Sequence, residues 1–576
     1  MKFTGAQLIT RLLERQGIDT IPGIPGGANL PLYDALRASR IRHVLARHEQ
    51  GAGFMAQGMA RATGRAAVCF GTSGPGATNL LTAIADAKLD SIPLITITGQ
   101  VPQSMIGTDA FQEIDTYGLT IPITKHNYLV RSAAELLEVI PDAFRVATSG
   151  RPGPVLVDVP KDVQNEAIAV DRWPDPGTAD CMPPPTNDQL AQAAALIGDA
   201  QRPILLIGAG VVAAGAADLV RQLVDDFGIP VASTLLGLDA MPSDHPLFLG
   251  MVGMHAARCT NLALEESDLL IAIGMRFDDR ATGKAAEFCP GARILHVDID
   301  ASEIGKIKRP TLGIACDARA FLASLLPALP LTISCQTNRT RLRSTAAWAE
   351  WRARISYLRT TFPLATPGAD DPLQPYGIVR HTAAIAGRDA TVTTDVGQHQ
   401  MWAAQAFPFV RPRQWLTSGG LGTMGFGLPA AIGAALAQPH RRVICFTGDG
   451  SLMMNLQELA TAAEERVDVK LVLLNNGHLG LVRQQQQLFY GGRYHASRFP
   501  SEPDFAAIAR GFGIAACDLG RERNPRKALD QALGAPGPCL INVPIEAENN
   551  VYPMVPPGGA NRDMIERHPP LEEIHA

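Results

Sequence analysis

Short apolar runs recur along the chain with helix-patterned stretches between them, and this alternation most restricts the fold. Clear examples are AAVCF (66–70), SIPLITIT (91–98), PVLVDVP (154–160), PILLIG (203–208), DLLIAIG (268–274), RILHVDID (293–300), RVICFTG (442–448) and VKLVLLNN (469–476). Near-continuous apolar runs of this length mark strands buried on both faces, which parallel sheets require, and the intervening helices cover those faces. The expected fold class is α/β, built from doubly wound parallel sheets. A chain of 576 residues exceeds one ordinary core, so two to four domains are expected. Residues 172–187, RWPDPGTADCMPPPTN, are proline-rich and read as a linker, and the pattern weakens again around 327–375. These breaks divide the chain into units 1–165, 188–330 and 370–550, followed by a tail, 551–576, that reads as an extended arm or lid. No internal repeat is evident, although the outer units share size and rhythm.

Charge and cysteine usage narrow the function. A net charge of −5 and a pI near 6.2 leave no basic face for nucleic acid or anionic lipid. The nine cysteines are scattered without a CxxC pair, the usage of a reducing compartment, with neither a disulfide frame nor a zinc site. Leu8, Ile9, Leu12 and Leu13 line one helical face that stops at Gly17, which is unlike a secretory leader. The longest apolar run, Ile204 to Ala217, falls short of the roughly 20 residues that span a bilayer. A soluble, cytoplasmic protein is expected.

In the middle unit, GAGVVA (208–213) follows the PILLIG strand and fits the glycine pattern that admits a diphosphate to a helix N-terminus. Alone the pattern is weak, and the strand IPVAST ends without the acid that grips an NAD ribose. Acids do end a later strand, at Asp298 and Asp300. RFDDR (276–280) crowds four charges into five residues, either as a solvated loop with internal ion pairs or as a ligand-facing one. A domain that holds a nucleotide without standard hydride transfer suits these facts better than a dehydrogenase.

The C-terminal unit is more specific. Asp449 lies between Gly448 and Gly450 at the end of a buried strand, and Asn476 ends the next one, 27 residues on. Neighbouring strand ends of a parallel sheet share a crevice, and a carboxylate with an amide oxygen there suits Mg²⁺ that also takes diphosphate oxygens and water. Flanking glycines allow the backbone to approach a phosphate. GDG followed by NN at this separation resembles the signature of thiamine diphosphate (ThDP) enzymes. Glu49 sits in VLARHEQGAGFMAQGMARATG, a mostly apolar helical segment where a carboxylate is either a hydrogen-bonded structural group or a functional one. ThDP needs such a group against its aminopyrimidine ring, to promote the tautomer that deprotonates the thiazolium.

Over nearly its whole length the chain resembles the catalytic (large) subunit of acetohydroxyacid synthase, also called acetolactate synthase. The resemblance rests on GIPGG (23–27), RHEQGAG (47–53), SGPGATN (73–79), GTDAFQE (107–113), TKHNYLV (124–130), RPGPVLVDVPKD (151–162), GMHA (253–256), RFDDR (276–280), TTDVGQHQMW (393–402), GLGTMGFGLPAA (420–431), GDGSLMMN (448–455) and VYPMVPPG (551–558). It implies three α/β domains (pyrimidine-binding, central FAD-binding, diphosphate-binding), with ThDP, Mg²⁺ and an FAD that is not reduced in the main reaction. It also implies a homodimer with each ThDP between two chains, and a small regulatory subunit. The implied reaction decarboxylates pyruvate and joins the hydroxyethyl unit to a second 2-keto acid. Pyruvate then gives 2-acetolactate and 2-ketobutyrate gives 2-aceto-2-hydroxybutyrate, in branched-chain amino-acid biosynthesis.

Carried onto this sequence, the resemblance assigns catalysis to Glu49, Gln112, Lys161 and Arg280, with Arg280 taking the acceptor's carboxylate. ThDP would meet Glu49 and a set on the C-terminal unit: Val396, Gly397, Gln398, His399, Gly422, Met424, Gly448, Asp449, Gly450, Ser451, Asn476, His478, Leu479 and Gly480. Asp449, Asn476 and the backbone oxygen of His478 would hold Mg²⁺. FAD would touch Arg151, Gly208, Gly210, Thr234, His255, Gly274, Arg276, Asp278 and Asp298, and the substrate pocket would include Gly27, Phe111, Met254 and Gln485. Alternatives within the class are a catabolic acetolactate synthase or a pyruvate oxidase. A flavin or nicotinamide oxidoreductase would leave Glu49 and GDG…NN idle.

Two residues depart from the family pattern. Gln485 stands where VRQQQ replaces VRQWQ, so the apolar wall that favours 2-ketobutyrate is weakened and little acceptor preference is expected, unless Gln485 merely faces solvent. The same change, with LGLV before it, gives the chain the look of the family's enteric isoenzyme I type. Asp239, in LLGLDAM, replaces the small residue expected beside the flavin.

Overall fold

A computed structural model describes residues 1–329 and 339–567 of the chain. The apolar runs form three six-stranded, wholly parallel sheets. In the N-terminal unit the strands lie in the spatial order Arg42–Leu45, Thr20–Gly23, Ala67–Gly71, Leu94–Gln100, Val155–Pro160, His126–Leu129. The C-terminal unit has Trp415–Leu416, Thr391–Thr394, Val443–Gly448, Val469–Asn475, Cys539–Pro544, Ala515–Asp518. Numbered within each unit, both sheets run 2-1-3-4-6-5, so the shared rhythm of the outer units is a shared topology. The middle sheet runs Phe248–Met251, Val231–Ser233, Pro203–Ile207, Leu269–Ile273, Arg293–Asp298, Leu312–Ala315, which is the 3-2-1-4-5-6 order of dinucleotide-binding domains. In each sheet the order reverses beside the first strand, and loops leaving the carboxyl ends there part to form a crevice.

The unit boundaries follow from packing. The strand Ala167–Ala169 pairs antiparallel with Lys2–Thr4, and Trp173 sits edge-on against Phe3, so the first part of the proline-rich segment is tied to the N-terminal unit. The middle unit opens at the helix Asn187–Asp199, whose start is fixed by a capping box between Thr186 and Gln189. The helix Arg339–Thr361, beyond the expected boundary at 330, lies on the middle unit. There the Trp348 and Trp351 indoles donate to the carbonyls of Ala200 and Pro203.

The outer units touch directly. The helix Glu49–Thr63 crosses the helix Gly427–Ala437, and Gly58 and Gly433 permit the contact. A Cβ at Gly58 would overlap the Ala430 carbonyl, and one at Gly433 the Met55 carbonyl. Beside the crossing, Arg61 donates to Asp90 (2.8 Å) and Asp86 (3.3 Å) and lies over the Phe426 ring. The two aspartates accept in turn from Ser418, Thr423 and the amides of Gly419 and Gly420, so the N-terminal unit fixes a C-terminal-unit loop. Residues 551–567 run along the middle unit, with Val555 N donating to Met254 O and Asn561 to Ala281 O. The rest of the tail, and Cys335, lie outside the described residues. Among the described residues no helix is long and apolar enough to cross a membrane, and the cysteines are unpaired thiols.

Candidate active site

The reversal point of the C-terminal sheet lies between Thr391–Thr394 and Val443–Gly448, and a pocket of about 210 Å³ opens there. Its lining includes Val396, Gly397, Gln398, His399, Gly422, Met424, Gly448, Asp449, Gly450, Ser451, Asn476, His478, Leu479 and Gly480, joined by Trp402, Leu474, Leu481, Val482 and Ile545. The structure therefore gathers every residue expected around ThDP except Glu49. A larger open hollow of about 430 Å³, between Ala285 and Arg309, contains none of them.

Asp449 is buried, and its surroundings push its pKa up to about 6, mainly through desolvation. One carboxylate oxygen accepts from Gly450 N (2.9 Å), while Oδ2 has no partner among the described residues. A buried carboxylate oxygen without a donor is costly, and a cation would satisfy it. Asn476 Nδ2 donates to Gln398 Oε1 (3.2 Å), and Asn476 Oδ1 accepts from His478 N (3.0 Å). One carboxylate beside an amide and a backbone carbonyl fits a hard ion that keeps water and phosphate oxygens, as Mg²⁺ does. His399 is buried and neutral, its pKa lowered to about 3 by desolvation. Its imidazole also explains Gly397 and Gly448, since a Cβ at either position would press on the ring.

Two residues that hold this pocket together were not singled out from sequence. Gln484 is wholly buried: Oε1 accepts from Gln398 Nε2 (3.1 Å) and Val551 N (2.9 Å), and Nε2 donates to Val551 O (2.8 Å). Gln485, the expected pocket residue, is exposed and outside the lining. Asp395 is also buried, accepting from Gly425 N (2.7 Å), Gly427 N (3.0 Å) and Thr447 Oγ1 (2.8 Å), which shapes the loop bearing Met424. Its place at the end of a TVTT strand was the available signal.

In the N-terminal unit the expected residues collect at the carboxyl edge of the sheet. Gly27, Glu49, Phe111 with Gln112, and Lys161 each follow a different strand. Glu49 opens its helix, is buried, and accepts from Asn79 Nδ2 (2.9 Å). Gln112 has a positive φ of 59° and packs on Gly74, and Phe111 is 88% exposed. The pocket lining runs from residue 396 to 545 only, and Glu49 is not part of it.

In the middle unit Met254 N donates to Arg280 O (3.0 Å), which joins the GMHA and RFDDR loops. Asp278 turns inward to cap the helix Asp279–Thr282, accepting from the amides of Arg280 and Ala281. The Arg280 guanidinium is 68% exposed, with Asp279 at 3.8 Å, too loose and hydrated a pair to occupy it. Gly208 and Gly210 pack backbone to backbone on Gly274, so these glycines first serve strand–loop contact. Asp298 is buried at its strand end, with a pKa raised to about 6 by desolvation, and Arg151 is engaged by Asp300 and Glu303. Thr234 precedes a 3₁₀ turn without a side-chain capping bond, His255 bonds Pro553 O, and Arg276 is half-buried. Asp298 and Ser233, whose Oγ has no partner among the described residues, both lie at the carboxyl edge of the middle sheet, with two strands between them. Asp239 turns its carboxylate onto the backbone of the C-terminal unit, accepting from Gln414 N (2.8 Å) and Trp415 N (2.9 Å).

Three family descriptions match in chain order. Residues 3–119 match "Thiamine pyrophosphate enzyme, N-terminal TPP binding domain", residues 190–325 the central domain, and residues 395–543 the C-terminal TPP binding domain. Fold and pocket thus define a thiamine pyrophosphate-dependent enzyme. The chain is 56% identical to the acetolactate synthase isozyme 1 large subunit of Escherichia coli, over 98% of both chains. It is 44% identical to the isozyme 2 large subunit of the same organism, over 98% of this chain and 100% of that one. A Parasynechococcus marenigrum acetolactate synthase large subunit is 46% identical, over 99% and 92%. The chain belongs to the acetolactate synthase large-subunit family.

Proposed function

We propose that the protein decarboxylates pyruvate and transfers the two-carbon unit to a second 2-keto acid, yielding acetolactate or acetohydroxybutyrate, with Mg²⁺ at Asp449, Asn476 and the His478 carbonyl. The observation that carries this reading is buried Asp449, whose Oδ2 has no partner among the described residues, in the lining of a pocket built on the GDG and NN strand ends. Bound ThDP would supply the electron sink for the carbanion left when CO₂ departs. Gln398 and His399 would meet its diphosphate, and Met424, on the loop fixed by Asp395, would support its middle. Glu49 would hold or release a proton at the aminopyrimidine nitrogen. Because the pocket lining within one chain lacks Glu49, that carboxylate would come from a second copy, which the 88% exposure of Phe111 supports. Arg280 would take the acceptor carboxylate through two parallel hydrogen bonds. FAD would lie along the carboxyl edge of the middle sheet near Asp298, without redox duty in the main reaction. A small regulatory subunit is inferred from relatives named as large subunits.

The purified protein with pyruvate, ThDP, Mg²⁺ and FAD should form acetolactate without an electron acceptor. Glu49→Gln should lower turnover at least a hundredfold and leave the circular dichroism spectrum unchanged, since a positioned proton-transfer group commonly contributes ~10²–10⁴-fold. Undiminished turnover in the folded variant would refute the role of Glu49.

A further inference from the structure

We propose that Glu458, in the C-terminal unit, is a positioning residue for Glu49. The inference rests on the reading of Glu49 as the proton-holding carboxylate. Glu458 opens the helix Glu458–Glu465 and is wholly buried. Its Oε1 accepts from the backbone amides of both Arg47 and His48 (3.0 Å each), and its Oε2 accepts from Thr461 Oγ1 (2.7 Å). Arg47 and His48 are the two residues before Glu49, so a carboxylate from the other unit fixes the backbone on which Glu49 is mounted. Free amides and partial positive charge gather where a helix begins, and an anion there is favoured.

A second contact acts just past Glu49. Asn455 Nδ2 reaches Gln50 Oε1 (3.2 Å) while also donating to Gly425 O (2.8 Å), on the loop that carries Met424. The segment that follows the GDG strand thus meets the chain on both sides of Glu49, at the backbone before it and at the Gln50 side chain after it. The arrangement also accounts for Gly51 in RHEQGAG: a Cβ there would overlap Glu458 Oε1. Asn79 orients the Glu49 side chain from within its own unit, whereas Glu458 sets where its backbone lies.

The readout is hydrogen–deuterium exchange at the thiazolium C2 of enzyme-bound ThDP, measured by acid quench and proton NMR on the holoenzyme. Glu458→Met keeps the volume and removes the acceptor, and exchange should slow at least tenfold. The pyruvate KM, the ThDP Kd and the melting temperature should move far less. Glu458→Gln retains an accepting oxygen for both amides and should restore exchange to within threefold of the wild type. Gly51→Ala offers a second route, since its methyl must displace the carboxylate, and it too should slow exchange. Folded Glu458→Met or Gly51→Ala exchanging within twofold of the wild type would overturn the proposal. Glu49→Gln is the reference: wild-type exchange in that variant would sink the reading of Glu49 itself. Slow exchange in Glu49→Gln with fast exchange in Glu458→Met would sink only the positioning role.

Discussion

Asp239 is fully buried, and its two hydrogen bonds to the backbone of the C-terminal unit do not outweigh the loss of water, so its pKa is pushed up to about 6 from 3.8. The folded state then binds this proton more tightly than the unfolded state. Its contribution to stability is complete below the unfolded pKa and is lost as pH rises through about 6. An asparagine keeps an accepting oxygen and carries no charge. Between pH 4 and pH 7, Asp239→Asn should gain about 2–3 kcal/mol of unfolding free energy relative to the wild type, by urea titration at each pH, at about 1.36 kcal/mol per pKa unit. The glutamine run yields a prediction of another kind. Gln485 is exposed and outside the pocket lining of one chain, so it offers no apolar wall there. Pyruvate and 2-ketobutyrate competing in one tube should give products close to their supplied ratio, and Gln485→Trp should raise the 2-ketobutyrate share only where a second copy brings this position to the acceptor. The gain is bounded by the roughly 1–3 kcal/mol that one methylene offers a shaped apolar pocket. A wild-type enzyme already biased tenfold toward 2-ketobutyrate would exclude this view. Sequence could not separate Gln484 from Gln485, because adjacent helix positions differ by one rotation and identical neighbours give no pattern from which to judge the inward face. Asp395 and Glu458 were equally hidden, since their partners are backbone amides of loops that fold back from elsewhere in the chain.

Among the elements, the crossing of Glu49–Thr63 over Gly427–Ala437 is the most sensitive to change. At Gly433 the obstacle to any side chain is the Met55 carbonyl, part of a helix that cannot yield locally. Gly433→Val should therefore cost ~3 kcal/mol or more, toward the upper end for overpacked sites, and should lower the melting temperature clearly. Unchanged melting would mean that the helices do not cross this closely. The strands were legible because sheets covered on both faces demand unbroken apolar runs: AAVCF and RVICFTG fall on Ala67–Gly71 and Val443–Gly448. So was the pocket on the C-terminal unit, because GDG and NN end neighbouring strands of that sheet. The helix Arg339–Thr361 was not assigned to the middle unit, since two tryptophans in a charged segment dock it and leave no periodic signature. The glycines at 208 and 210 read as a phosphate loop, yet their nearest neighbour is the backbone of Gly274, a contact between distant segments that local pattern does not encode.

For the whole molecule, the proposed function calls for Glu49 at a pocket whose lining within one chain lacks it, which a second copy would supply. Phe111, Ile121, Leu30 and Met105 are apolar side chains left exposed on the N-terminal unit. Specific activity should fall on dilution in step with loss of the dimer by sedimentation velocity, and excess ThDP should restore it only in part. Full activity in a monomer would contradict an intermolecular site. The joint between the two outer units within each chain is of a different nature. Arg61, Asp86 and Asp90 meet beneath the protein surface, where mobile ions do not reach, whereas exposed pairs fade once the screening length shrinks to about 3 Å at molar ionic strength. Concentrated brine should therefore weaken contacts made through exposed charge and still leave the two outer units of the polypeptide clamped to one another.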